Sequence, residues 1–277
     1  MLSSGQRHVQ LPDLMKQSAR VAAGLRSLGI GFGDSLAMLL YNDIAFFEAS
    51  FGAGMLGAYP VALNWHLTPP EIEYILGDCD AKALLVHADL IDAVRSVVPQ
   101  GMPVLAVSTP PEICDAYGIA ESRCVVPDDL INWDDWTAKF EPWAGPVAVP
   151  PGAIIYTSGT TGRPKGVRRF PPSREQALAQ ETIFKQAFGL ETDPDDIVTI
   201  VTGPMYHSAP NRYAMLATKL GCDVMLMPRF DAESLLALIE RHRVTHLHMV
   251  PVMFNRLLRL AESVRQKYDL SSLRWVV

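Results

Sequence analysis

Cysteine is scarce in this sequence: Cys79, Cys114, Cys124 and Cys222 are the only four in 277 residues. Their spacings contain no close C-x-x-C pair, which excludes the usual zinc sites. So low a count predicts reduced thiols in a cytoplasmic protein rather than a disulfide framework. Long uninterrupted apolar runs are missing too. The most hydrophobic window, "AFFEASFGAGMLGAYPVAL" from Ala45, carries Glu48, Gly52, Gly54, Gly57 and Pro60, and predicts a buried helix and strand, not a membrane span. The N-terminal "MLSSGQRHVQLPDL" lacks the apolar centre of a signal peptide. There is no excess of positive charge: the net charge is −6, with Lys and Arg dispersed. A dedicated nucleic-acid surface is therefore not expected, while an anionic ligand at one local site stays allowed.

What is present is a regular alternation. A hydrophobic content of 49% over 277 residues is ample for one large or two modest domains. "SLAMLLY" (35–41) has the bounded apolar character of a buried strand, 43–57 that of a helix, and "AYPVALN" that of a strand again. Thr68-Pro69-Pro70-Glu71 has capping-box spacing with proline where no amide donor is needed. Strand-like "AKALLVH" (81–87), a helix over 89–98 and strand-like "MPVLAVS" (102–108) follow. The rhythm predicts an α/β fold of parallel or mostly parallel sheets flanked by helices. From Thr109 to Pro151 it decays into a Pro-, Asp- and Trp-bearing connection, which suggests a boundary: residues 1–145 as a first α/β subdomain, 146–277 as a second. In the second, "GAIIYTS" is a strand and 173–189 a helix. After them alternate strands at 196–202, "DVMLMP" and "THLHMVP", helices at 211–221, 231–244 and 252–264, and a terminal strand-like "SSLRWVV".

The segment with evident chemistry is "IYTSGTTGRPKGVRR" from Ile155. A strand running into a Gly/Ser/Thr loop presents several backbone N–H groups in one direction, and Gly159 and Gly162 permit the necessary backbone angles. Thr157, Ser158, Thr160 and Thr161 add hydroxyl donors, and Lys165 adds a compact positive charge, so the loop is expected to hold a polyphosphate. It is not a Walker loop, since Pro164 stands where that pattern requires glycine before its Lys, and Gly166 where it requires Ser or Thr. Arg168 and Arg169 follow, either assisting phosphate binding or forming a solvated edge.

"YTSGTTGRPKGV" resembles the phosphate loop of the adenylate-forming superfamily, in particular acyl-CoA synthetases. "GLRSLGIGFGDSLAMLLYND", "GAYPVALNWHLTPPEIEYIL" and "RFDAESLLALIERHRVTHLHMVPVMFNRLL" are similar, in order and spacing, to other segments of those enzymes. The resemblance runs from about Leu11 to Val277 and implies two similar subdomains of their large N-terminal domain. Pro204-Met205-Tyr206-His207 matches the P-[LM]-[FY]-H pattern of acyl-CoA synthetases, where amino-acid-activating relatives tend to carry Phe-Asp. That favours a non-amino carboxylic acid, with His207 beside the substrate carboxylate and near the route of the CoA thiol. By the same likeness His248 or Met249 lines the acyl pocket. His242, His246 and His248 lack a Cys or carboxylate to complete a ligand set, so no metal site is expected on protein side chains.

The resemblance implies that ATP, Mg²⁺ and CoA serve the reaction: the carboxylate attacks the α-phosphorus, pyrophosphate leaves, and CoA takes the acyl group. Lys165 and His207 are the implied catalytic residues. Thr157, Ser158, Gly159, Thr160, Thr161, Gly162 and Lys165 would hold the β- and γ-phosphates. The Tyr-Gly-x-Thr-Glu motif, the later ribose-binding Asp and the C-terminal lid Lys of these enzymes are not found in the chain. The expectation is an N-terminal portion of an acid:CoA ligase that does not form acyl-adenylate by itself, the alternative being a non-catalytic phosphate-binding module of the same fold. Fatty, aromatic, carnitine-like and steroid acids all stay open as substrates.

Overall fold

The computed structural model describes residues 1–157 and 163–277. Ser158, Gly159, Thr160, Thr161 and Gly162 of the expected phosphate loop lie outside the described residues. The chain divides into two compact units, Pro12–Ala177, and Met1–Leu11 together with Leu178–Val277.

At the N-terminus, β1 (Leu2–Ser4) and β2 (Arg7–Val9) form an antiparallel ribbon turned at Gly5, whose φ of 56° is one glycine adopts freely. Neither strand was evident from periodicity, because three residues cannot establish an alternation. Helix α1 (Leu11–Ser27) follows, burying Leu14, Val21 and Leu25 along one stripe.

The unit Pro12–Ala177 is built on β3 (Ser35–Leu39), β4 (Tyr59–Ala62), β5 (Ala81–His87), β6 (Val104–Val107), β7 (Ile131–Asn132), β8 (Ile154–Thr157) and β9 (Lys165–Gly166). Between β3 and β7 the strands are connected by α2 (Ile44–Met55), α3 (Pro69–Asp78), α4 (Ile91–Val94) and α5 (Pro111–Tyr117), and α6 (Trp133–Thr137) follows β7. The sheet order is β7-β6-β5-β3-β4-β8-β9, parallel except for the antiparallel β8/β9 pair. Every residue of β3 and β4 is buried, as parallel strands covered on both faces require. Asp43 starts α2 by accepting the Ile44 amide at 2.7 Å, and Glu71 starts α3 by accepting both the amide and the hydroxyl of Thr68 at 2.8 Å. The helix expected over 89–98 is limited to Ile91–Val94 after a single 3₁₀ turn. Pro99 disfavours helical backbone just before it, and Val97 closes a tighter turn onto the Val94 carbonyl.

The second unit holds β10 (Val198–Val201), β11 (Asp223–Leu226), β12 (His246–His248) and β13 (Trp275–Val276), with α7 (Arg174–Ala187), α8 (Ser208–Leu220), α9 (Ala232–His242), α10 (Pro251–Leu258) and α11 (Glu262–Arg265). Its order is β13-β12-β10-β11-β1-β2, and only the β1/β2 pair is antiparallel. Its core joins Ile200, Leu235, Ile239, Val244 and Leu247. The runs β3–β5 and β10–β12 share one order, in which the first strand of the three is in the middle, the second on one side and the third on the other, giving β4-β3-β5 and β11-β10-β12. The carboxyl ends beside β3/β5 and β10/β12 are thus the points where strand order reverses, the usual ligand position in open α/β sheets.

Two expectations are corrected. A boundary at 145/146 is replaced by crossings at Leu11/Pro12 and Ala177/Leu178, because β8 pairs in parallel with β4 and so stays in the seven-stranded sheet. Cys114 and Cys124, expected as free thiols, form a disulfide. Helix α5 and the 3₁₀ turn Glu121–Arg123 double the chain back, and the Thr109 amide bonds to the Cys124 carbonyl across the fold. Ten residues of separation carried no such signal. Cys79 and Cys222 are buried thiols.

Candidate phosphate and acid sites

Strand β8 delivers Thr157 to the edge of its sheet, and the chain returns on β9 with Thr157 opposite Lys165 and Tyr156 opposite Gly166. Opposed residues of an antiparallel pair share one face, so Thr157 and Lys165, both exposed, stand side by side at the two ends of the loop. Gly166 is needed there. A Cβ at that position would come within 2.6 Å of the Tyr156 ring and 3.0 Å of the Ile154 side chain.

Tyrosines that sequence reasoning did not single out fix the surroundings of this ladder. The Tyr156 hydroxyl donates to Asp78 at the end of α3, and Tyr74 donates to the other oxygen of the same carboxylate at 3.2 Å. Burial, and then the Asp78 bond, raise the Tyr156 pKa well above the ordinary phenol value, so the hydroxyl keeps its proton and stays a donor. Tyr59 on β4 donates to the Arg169 carbonyl at 2.6 Å. The Arg168 guanidinium lies over the Tyr59 ring at 4.7 Å, and that of Arg163 over the Tyr74 ring at 5.4 Å. An isolated Tyr in a helix or strand gives no sequence signal for such roles.

In the other unit, β10 runs into 202–207 and β12 into 249–251, at the carboxyl ends of adjacent parallel strands. Thr202 ties the two by donating to the His248 carbonyl at 2.8 Å. His207 is the N-cap residue of α8, with extended backbone (φ −94°, ψ 144°) and its carbonyl accepting the first helical bond from Asn211. The Asn211 side chain in turn donates to the Met205 carbonyl at 2.9 Å, fixing the Pro204–His207 turn. The His207 side chain is exposed, its ring 4.5 Å from that of Tyr206. Desolvation by its neighbours nonetheless lowers its pKa below the ordinary histidine value, leaving the neutral imidazole dominant at pH 7. His248 is half-buried against the rings of Tyr213 and Phe188, centroids 5.6 Å and 6.1 Å away, and burial lowers its pKa as well. Met249 points into the core with Leu247 and Met253.

His246 is a structural histidine, its Nε2 against the Gly189 carbonyl at 3.0 Å and Nδ1 against the Thr245 hydroxyl at 2.8 Å. Among the described residues no group of three or more His, Cys, Asp or Glu side chains is placed to hold a metal ion, and no helix is long and apolar enough to cross a membrane.

Comparison with known proteins places these features in a family context. A family model described as AMP-binding enzyme matches residues 2–277. The chain is 31% identical to 4-coumarate–CoA ligase 3 of Arabidopsis thaliana over 261 residues, covering 93% of this chain and 44% of that protein. It is 31% identical to indoleacetate–CoA ligase of Aromatoleum aromaticum over 273 residues, covering 97% and 49%. Among solved structures, an acyl-CoA synthetase of Brucella canis superposes with a TM-score of 0.77 at 25% identity, covering 96% of this chain and 46% of that one. The anthranilate CoA ligase AuaEII in complex with anthranoyl-AMP superposes with a TM-score of 0.77 at 24% identity, covering 99% and 51%, which establishes likeness of fold. The chain spans about half the length of the curated relatives it matches.

Proposed function

The chain belongs to the AMP-binding enzyme family, and from that premise we propose that its protein is an AMP-forming acid:CoA ligase. The carboxylate of an acid attacks the α-phosphorus of ATP, expelling pyrophosphate. The CoA thiol then attacks the acyl carbon of the acyl-adenylate and expels AMP. The observation that carries this reading is the β8/β9 ladder, which pairs Thr157 with Lys165 at the ends of the Gly/Ser/Thr loop.

The residues fit a polyphosphate. Arg163, Lys165, Arg168 and Arg169 form no ion pair with a carboxylate among the described residues, so the charge of Lys165 is available to an anion. Phosphoryl chemistry of this kind relies on positioning and charge neutralisation rather than on covalent help from the protein. Lys165 neutralises charge that grows on the departing pyrophosphate, and the Thr157 hydroxyl donates to a phosphate oxygen. Ser158, Gly159, Thr160, Thr161 and Gly162 complete the set through loop amides and hydroxyls. Mg²⁺ supplies further charge neutralisation when bound with ATP; the described residues assign it no protein ligand.

His207, neutral at pH 7 and fixed at the start of α8, provides a hydrogen-bonding group for the substrate carboxylate without a competing positive charge. His248 and Met249 belong to the adjoining strand end. We assign an aromatic carboxylic acid as substrate, carried over from the names of the 4-coumarate and indoleacetate relatives and consistent with the aromatic surroundings of His248. The 277 residues contain no Tyr-Gly-x-Thr-Glu sequence, so this chain by itself is expected to bind pyrophosphate but to form no adenylate. Acid-dependent ATP–pyrophosphate exchange tests both statements. The protein in its full natural reading frame should catalyse it with an aromatic acid and the 277-residue chain should not; exchange by the latter would overturn the second statement.

A further inference from the structure

The lobe that follows β6 is closed by a disulfide. Helix α5, a left-handed residue at Gly118 (φ 65°) and the 3₁₀ turn Glu121–Arg123 fold back so that Cys124 meets Cys114. The lobe lies over the carboxyl ends of β3 and β5, where strand order reverses. The Tyr117 ring at the end of α5 packs on that of Tyr41, just past β3, with centroids 4.8 Å apart, and lies 6.4 Å from that of Trp65 after β4. The Arg123 guanidinium donates to the carbonyl of Asp89, just past β5, at 2.7 Å. Beneath them the buried Asp89 carboxylate accepts the Tyr41 hydroxyl at 2.9 Å and the Thr109 hydroxyl at 2.6 Å.

Few apolar contacts hold this cover down. Of α5 only Ile113 and Cys114 are buried, and the 3₁₀ turn buries no residue, so the lobe has the makings of a unit that opens locally. Its sulfurs are accommodated in either oxidation state. The Cys114 Sγ lies 3.3 Å from the Thr109 carbonyl oxygen and the Cys124 Sγ 3.5 Å from that of Ala120, so as thiols both have an acceptor in reach and reduction leaves no buried donor unmet. Cys124 is flanked by exposed Arg123 and Val125. Opening the lobe alone therefore brings a small thiol to the bond, whereas Cys79 belongs to the core of its sheet.

We propose that Cys114 and Cys124 form a reversible redox latch on this cover, shut as the disulfide and free to open as the dithiol. The oxidant is a small disulfide of the glutathione class. The thiolate of one cysteine attacks a sulfur of glutathione disulfide and expels one glutathione thiolate; the thiolate of the other cysteine attacks the protein sulfur of the mixed disulfide and expels the second. Two cysteine thiols are oxidised, one glutathione disulfide is reduced to two thiols, and the two protons released by the cysteines end on the expelled thiolates. The bond spans a sequence separation of 10, and closing a ring of that length suppresses opening of the lobe about a hundredfold. Opening withdraws Tyr117 and Arg123 and admits water to Asp89 at the strand ends.

Equilibration of the 277-residue chain in mixtures of reduced and oxidised glutathione, followed by alkylation and mass spectrometry, reads the oxidation state, and hydrogen exchange of the same samples reads the latch. The disulfide should pass reversibly from nearly complete to nearly absent across the mixtures. On reduction the amides within 114–124, among them Ile119 bonded to the Cys114 carbonyl, should exchange about a hundredfold faster, while those of β3 and β5 keep their rates. A chain with Cys114→Ala and Cys124→Ala should exchange like the reduced wild type whatever the glutathione ratio; the comparison of the two wild-type states needs no substitution. A disulfide that survives excess reduced glutathione, or thiols that oxidised glutathione leaves unpaired, would overturn the latch. So would equal exchange rates in the two states, or acceleration of β3 and β5 together with the lobe, which would make the bond a staple of the whole unit.

Discussion

Replacing Gly166 by Ala should destabilise the protein, although the backbone alone argues the opposite. Gly166 lies in β9 and is not among the residues with positive φ, so alanine fits its backbone. A Gly→Ala change at such a position ordinarily stabilises by about 0.4–1 kcal/mol through the unfolded chain. Here the new methyl would stand 2.6 Å from Cζ and 2.7 Å from Cε2 of Tyr156, and 3.0 Å from Cγ2 of Ile154. The ring has little room to retreat, because its hydroxyl is bonded to Asp78 and its backbone is paired across β9. Overpacking of this kind costs about 1–3 kcal/mol, and loss of the Tyr156–Asp78 bond adds about 1 kcal/mol. The net expectation is a loss of about 1–3 kcal/mol after the entropic gain is subtracted. Urea unfolding of the 277-residue chain measures it. In a Tyr156→Ala background the ring contacts are gone, and the same substitution should then cost only a few tenths of a kcal/mol through Ile154. A stabilised Gly166→Ala protein, or an equal cost in both backgrounds, would refute the argument from the ring.

Other consequences follow from the same geometry. Glu71, whose pKa is depressed below 4.5 by the hydrogen bonds from Thr68, is a group whose contribution is present above its unfolded pKa. The advantage of the wild type over Glu71→Gln should be full at neutral pH and disappear as pH falls through the lowered value, as chemical unfolding at several pH values will register. Thiol titration of unreduced, denatured chain should count two thiols and reduced chain four, since Cys114 and Cys124 are bonded. In the native state the remaining two should react slowly, because burial pushes the Cys79 and Cys222 thiols up to about 11. In the full enzyme, His207→Ala should lower kcat/KM for the acid about a hundredfold. The wild-type rate should fall on the acid side with an inflection below 6.5, because desolvation lowers the His207 pKa; an inflection above 6.5 would contradict its neutral role.

Much of this architecture was legible in the sequence for a physical reason: a parallel strand buried on both faces is written as a continuous apolar run. "AKALLVH" coincides with β5 residue for residue, and Thr68 and Glu71 mark the start of α3 as their spacing predicts. What stayed hidden depends on partners remote in sequence. β1 exists because it pairs with β11 more than two hundred residues later, and β8 joins the first sheet through β4 although the irregular connection separates them. The Cys114–Cys124 disulfide requires the turn after α5. Thr157, Lys165 and His207 are proposed from motifs, whereas the contacts of Tyr59, Tyr74 and Asp78 beside the β8/β9 ladder follow from no local pattern.

Exchange of labelled pyrophosphate into ATP, dependent on an aromatic carboxylic acid, is the most direct test of the acid:CoA ligase assignment. Measured on the protein in its full natural reading frame, it should proceed without CoA, require the acid, and drop at least about a hundredfold in Lys165→Gln through lost stabilisation of the departing charge. Exchange that ignores the acid, or that persists undiminished in Lys165→Gln, would contradict the assignment of this loop to ATP activation.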